Sequence, residues 1–222
     1  VGGKAEGLAK LIKLGLKVPA GFVIQHAQPG NMPAQLALFY QAIGGGKVAV
    51  RSSAIGEDSA DASFAGQYET ILNVEGESAL VQAIEHCLRS IQSVHASAYK
   101  NTKADEVDVE MAVVVQSMVP ATIAGVLFTV DPVSYSRQRI VIDAVQGLGE
   151  KLVSGAVTPD HYVFDRAGKL IEQDLIGAAA LLSSEQLQRL LYDAFEAEAK
   201  IGFPLDMEWA IDAQGILHWL QA

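Results

Sequence analysis

VAVRSSAIGEDSADASFAGQYETILNV, residues 48–74, is the stretch on which the fold turns. Val48 to Arg51 reads as a buried strand, the small and hydroxyl residues after it as a loop, and the segment from about Glu69 as a second strand. A loop so rich in Gly, Ser and Ala can aim many backbone N–H groups at one anion, and Arg51 adds a planar two-pronged donor. Strand, loop and strand together suit a nucleoside triphosphate. The competing interpretation is a solvated surface loop with an ordinary arginine, and three further segments weigh against it.

Upstream of this stretch, Gly2-Gly3 precede Lys4 to Leu14, where Leu8, Leu11, Ile12 and Leu14 are spaced for one buried helix face. Gly15 suits the helix end and Pro19 prevents its continuation. Phe22 to Ile24 reads as a short strand and Ala34 to Ile43 as a short helix. Downstream, Glu77 to about Lys100 is a long helix with Leu80, Ile84, Leu88 and Ile91 on one face, followed by a polar linker from Asn101 to Asp108. The apolar runs Met111–Met118, Gly125–Thr129 and Ile140–Ala144 predict strands covered on both faces. A Gly-rich loop then leads to a strand at His161–Phe164. Asp165 to Lys169 suits a hairpin turn, Ser183 opens a helix to about Lys200, and Met207–Ile211 and Ile216–Leu220 pair around the turn at 212–215. The order predicts an α+β protein, with a β-rich half following a more helical one.

Composition narrows the function classes. Of 222 residues, 50% are hydrophobic and 19% charged, which requires a folded core. A net charge of -10 argues against nucleic-acid or acidic-membrane partners, because phosphate repulsion would go unopposed. Cys87, the single cysteine, excludes an internal disulfide framework. With no apolar run long enough to span a bilayer and no visible signal peptide, the expectation is a cytoplasmic protein. Because it opens at Val1 directly before Gly2-Gly3-Lys4, the sequence also reads as a piece of a longer chain.

The three further segments each carry chemistry. Lys4 follows two glycines at a helix start, where a lysine opposes the helix dipole and a bound anion would relieve the conflict. VVVQSMVP, residues 113–120, runs an apolar strand into a proline; its end, around Gln116 and Met118, leaves backbone groups that can read a base edge. Gln116 is the one polar residue in that strand core, which also fits a satisfied buried amide. In DMEWAID, residues 206–212, alternation puts Asp206, Glu208 and Ala210 on one face, and Gln221 ends the next strand. A carboxylate beside an amide oxygen is a hard-oxygen site suited to Mg²⁺ shared with phosphates.

GGKAEGLAKL, VRSSAIGEDSADASFAGQYET, VVVQSMVPATIAGVLFTVDP, GLGEKLVSGAVTPDHY and DMEWAID…LQA stand in order along nearly the whole chain. In this they resemble the N-terminal ATP-binding domain shared by phosphoenolpyruvate synthase, pyruvate phosphate dikinase and rifampin phosphotransferase. The resemblance implies an α+β ATP-grasp fold holding Mg-ATP between two subdomains, residues 1–110 and 111–222. It assigns Lys4 and Arg51 to the phosphates in a catalytic role, Gly66 and Thr70 to loop contacts with the nucleotide, Gln116 and Met118 to the nucleotide at the subdomain junction, and Glu208 and Gln221 to metal and phosphate. ATP and Mg²⁺ are the implied cofactors, and a histidine on another domain or chain is the implied phosphoryl acceptor. The family pattern continues past Gln221-Ala222 with an arginine that this sequence does not include, and the stretch between Ile24 and Val48 is short for the family. The alternatives are a nucleotide-binding module without turnover and the ATP domain of an antibiotic phosphotransferase.

Overall fold

The computed structural model describes residues 2–26, 28–54, 69–99 and 111–222. They divide into two compact units, one of residues up to Gly7 with Pro19–Met118, the other of Leu8–Val18 with Val119–Ala222.

In the first unit, β1 (Gly21–Gln25), β2 (Val48–Ala54), β3 (Thr70–Val74) and β4 (Met111–Ser117) form an antiparallel sheet in the order β1-β4-β2-β3. β4 therefore belongs to this first sheet, paired to β1 and β2. The helix α3 (Glu77–Tyr99) packs Leu80, Ala83, Ile84, Cys87 and Leu88 against Val48, Val50, Val113 and Val115. These valines alternate along their strands, so α3 covers one face only. Burial pushes the Cys87 thiol up to about 11, helped by the Glu69 carboxylate. This makes it a small packing residue rather than a nucleophile. Two shorter helices complete the described unit. α1 (Gly3–Lys13) contributes its first turn, and α2 (Leu36–Ala42) buries Tyr40, whose hydroxyl donates to Gly46 O at 2.8 Å and accepts from Gly76 N at 2.9 Å.

The second unit is built on a six-stranded antiparallel sheet of β5 (Ala121–Phe128), β6 (Arg139–Gln146), β7 (Asp160–Asp165), β8 (Leu170–Asp174), β9 (Asp206–Asp212) and β10 (Leu217–Gln221), ordered β10-β9-β5-β6-β7-β8. A single-turn helix, α4 (Glu150–Val153), precedes β7. The amphipathic helix α5 (Ser184–Ile201) is started by a capping box between Ser183 and Gln186 and stopped by Gly202 in the left-handed conformation. Leu190, Leu191, Ala194 and Ala197 of α5 lie in one core with Leu127, Ile142, Tyr162, Met207, Trp209 and Trp219. Trp219 Nε1 donates to the buried Asp193 at 2.9 Å, which satisfies both groups inside that core.

The turn after β5 shows how this unit depends on pH. Asp131 accepts from the Ser134 hydroxyl at 2.6 Å and from the backbone N–H groups of Ser134 and Val133 at 3.1 and 2.9 Å. These bonds, with Arg139 nearby, hold its pKa at about 2 instead of 3.8. A carboxylate with a lowered folded pKa contributes stability above its unfolded pKa and loses it as the pH falls toward the folded value. Asp131→Ala is accordingly expected to cost about 1–3 kcal/mol at neutral pH. Its deficit relative to the native chain should shrink between pH 4 and 2, read as urea midpoints across that range.

Candidate functional site

In each unit the helix of the hydrophobic core, α3 or α5, packs on one face of the sheet, and the candidate side chains lie on the other. In the first, Arg51 pairs with Thr70 on β3 and Val114 on β4, while Gln116 pairs with Ala49 and Gly21. Paired residues of an antiparallel ladder share a face, and so do residues two apart. Arg51, Thr70 and Gln116 therefore all project from the side opposite α3. Arg51 and Gln116 are buried there, at 8% and 3% exposure. Gln116 Nε2 is buried with no hydrogen-bond partner among the described residues, an expensive state that a ligand acceptor would relieve. The glycines before Lys4 have a steric purpose as well. A Cβ on Gly2 would lie 2.3 Å from both the carbonyl oxygen and the hydroxyl of Ser53, so only glycine lets the start of α1 seat on β2. Ala5 N donates to Ser53 Oγ at 3.4 Å and fixes that seat. Lys4 lies in the first turn of α1, whose start seats on Ser53, two residues along β2 from Arg51.

In the second unit the alternation expected of 206–212 is realised. Met207, Trp209 and Ile211 enter the core under α5, and Glu208 and Ala210 take the other face. Gln221 lies opposite Glu208 across a bulge in β10. One row further along the same face, Ala210 and Ala124 form an apolar cluster with Val119, lined by Ala121 and Leu220. Near its end, Asp212 accepts from His218 Nε2 at 2.8 Å and from the N–H groups of Ile216 and Gln214 at 2.9 and 3.0 Å, and these bonds depress its pKa. Among the described residues no three metal-binding side chains converge. Mg²⁺ shared with phosphates needs only one or two carboxylates, and Glu208 with Gln221 fits that requirement.

Of the residues singled out from sequence, the fold brings Arg51, Thr70 and Gln116 to one face and Glu208 and Gln221 to another. Met118 follows β4, with its N–H donating to Lys47 O at 2.9 Å. Gly66 lies outside the described residues. Two residues on the Glu208 face were not foreseen, Asp143 on β6 and His161 on β7, with His161 Nδ1 2.6 Å from Asp143 Oδ1. The available signal was Asp143 itself, the single charge in the otherwise apolar run of β6 after Arg139.

Residues 27–183 match the family described as pyruvate phosphate dikinase, AMP/ATP-binding domain. The chain belongs to that family. This dikinase-family domain is 35% identical to the Prodigiosin synthesizing transferase PigC of Serratia marcescens, over 95% of this chain and 30% of that protein. It is 42% identical to a probable phosphoenolpyruvate synthase of Archaeoglobus fulgidus, over 74% of this chain and 25% of that protein. The phosphotransferase YvkC of Bacillus subtilis matches at 31% identity over 100% of this chain and 33% of its own length. The domain thus spans about a quarter to a third of these relatives. Among solved structures, D-alanyl-alanine synthetase A from Vibrio cholerae superposes with a TM-score of 0.50 at 11% identity, covering 99% of this chain and 54% of that one. The ADP complex of N5-carboxyaminoimidazole ribonucleotide synthetase does so with the same score and identity, covering 99% and 44%. The dikinase-family domain therefore has the ATP-grasp fold, with helices packed on two antiparallel sheets. Among the described residues no helix is long and apolar enough to cross a membrane.

Proposed function

We propose that this domain binds Mg-ATP and serves an ATP-dependent phosphotransferase, passing a phosphoryl group to a carrier histidine on another domain or chain. The observation that carries the reading is the shared face of Arg51, Thr70 and Gln116, with Gln116 Nε2 buried and without a hydrogen-bond partner among the described residues. On that reading the first unit is the phosphate-binding subdomain. Lys4 and Arg51 stabilise charge on the transferred phosphoryl group, which is most of what a protein does in such a reaction. Gly66 and Thr70 contact the nucleotide, and Gln116 and Met118 bind it toward the base. The second unit supplies Glu208 and Gln221 as oxygen ligands for Mg²⁺, which offsets the phosphate charge when bound. The relatives carry different names, a synthesizing transferase, a phosphoenolpyruvate synthase and a phosphotransferase. Their common stretch supports assigning the nucleotide step to this domain, with the final acceptor set elsewhere.

Glu208→Gln tests the metal assignment. The change keeps shape and removes one charge from an intermediate-burial position beside Gln221, so the fold should survive. Outer-shell partners of metal ligands are worth about ten- to a hundredfold in affinity, and a direct ligand should be worth at least that. Calorimetric titration of ATP at stepped Mg²⁺ concentrations should show the loss. An unchanged Mg²⁺ dependence would make Glu208 a plain solvent-facing acid.

A further inference from the structure

One row of side chains crosses the whole second sheet. Register pairs Gln221 with Glu208, Glu208 with Val126, Val126 with Asp143, Asp143 with His161 and His161 with Asp174. All six project from the face opposite α5. Asp143 and His161 are 19% and 34% exposed, so their pair is accessible on that face. An ionised carboxylate can only accept, so Nδ1 of His161 carries the hydrogen in the 2.6 Å contact and Nε2 is left as the basic nitrogen. A carboxylate that holds one nitrogen of a partly exposed imidazole is the arrangement of an oriented general base. The Glu208–Gln221 pair occupies the other end of the row. Two strand spacings, about 9.6 Å, separate the backbones of Glu208 and Asp143, with only Val126 between them.

We infer that His161 is a general base of this site and that the chain has an intrinsic ATP-hydrolysing activity. The inference rests on the Mg-ATP reading above. A water oxygen bonds to the γ-phosphorus as the bond from that phosphorus to the β,γ-bridging oxygen breaks. ADP leaves with the bond's electron pair. The water proton passes to His161 Nε2, and the resulting imidazolium stands beside the Asp143 carboxylate until it returns the proton to solvent. An imidazole acceptor attacks with its own lone pair and needs no base, whereas water does. The pair therefore suits hydrolysis rather than transfer to a carrier histidine. Asp143 is a positioning residue in this scheme.

The test uses the full chain with Mg-ATP, phosphate release for the chemistry and calorimetry for binding. The native chain is expected to release phosphate. His161→Asn should slow release by about a hundredfold, while the dissociation constant for Mg-ATP stays within about threefold. Asp143→Asn should slow it at least about tenfold through the lost tautomer control. Added imidazole should restore part of the rate to His161→Gly, which a folding defect would not allow. A native chain that binds Mg-ATP without releasing phosphate, or a His161→Asn rate equal to the native one, overturns the inference and leaves the nucleotide reading standing. Failure of the native chain to bind Mg-ATP overturns both.

Discussion

Gly125→Ala is expected to destabilise the second unit by about 3 kcal/mol or more, at or beyond the upper end of overpacking penalties. Gly125 sits mid-strand in β5, paired to Ala144 on one side and Trp209 on the other. A Cβ there would lie 2.0 Å from the carbonyl oxygen of Asp143 and 2.4 Å from Cζ2 of the fully buried Trp209. Neither neighbour can yield cheaply. The carbonyl belongs to the adjacent strand, and the indole is packed among α5 side chains and the rest of the core. Total stabilities of domains are about 5–15 kcal/mol, so this one methyl group should remove a large part of the margin. Urea unfolding followed by tryptophan fluorescence reads the effect directly. Trp209→Leu added to Gly125→Ala should recover only part of it, because the clash with the carbonyl remains. A midpoint shift equivalent to less than about 0.5 kcal/mol, the range of neutral surface changes, would contradict the packing account.

Arg51→Ala should lower ATP affinity about ten- to a hundredfold, the equivalent of a lost charge-assisted contact of about 1.5–3 kcal/mol. The side chain is buried on the same face as Thr70 and Gln116, and β2 is clamped between β3 and β4, so its position does not depend on a loose loop. Adenosine lacks phosphates and is the internal control, expected to bind the variant as it binds the native chain. Arg51→Lys keeps the charge but not the fork, and should recover only part of the loss. Equal losses for ATP and adenosine would show that Arg51 supports the fold of the face rather than touching phosphate.

Local signals made most of the elements readable. Helix periodicity with Gly15 placed α1, Ser183 placed the start of α5, and alternation in 206–212 correctly separated Glu208 and Ala210 from Trp209. Five motifs in fixed order were enough for the family. Each of these signals depends on residues within one element, where geometry follows from spacing along the chain. Elsewhere, local punctuation misled or was silent. Gly125 read as the start of a strand, yet β5 begins at Ala121 and passes through the glycine because Trp209 needs the space above it. β8 is exposed at every position and carries no buried stripe to announce it.

Partnerships between distant segments came from the tertiary structure alone. The polar linker at 101–108 suggested a division before β4, but hydrogen bonding to β1 and β2 places that strand in the first sheet. Nothing local could say that Arg51, Thr70 and Gln116 face one way, or that Asp143 meets His161. The sequence by itself determined most of the strands and helices, because those follow from periods of 2 and 3.6 residues, and the inventory of chemical groups. Only the fold decided which of those groups share a face, because register between strands is set by long-range packing, and a slip of one residue would send every side chain to the opposite side.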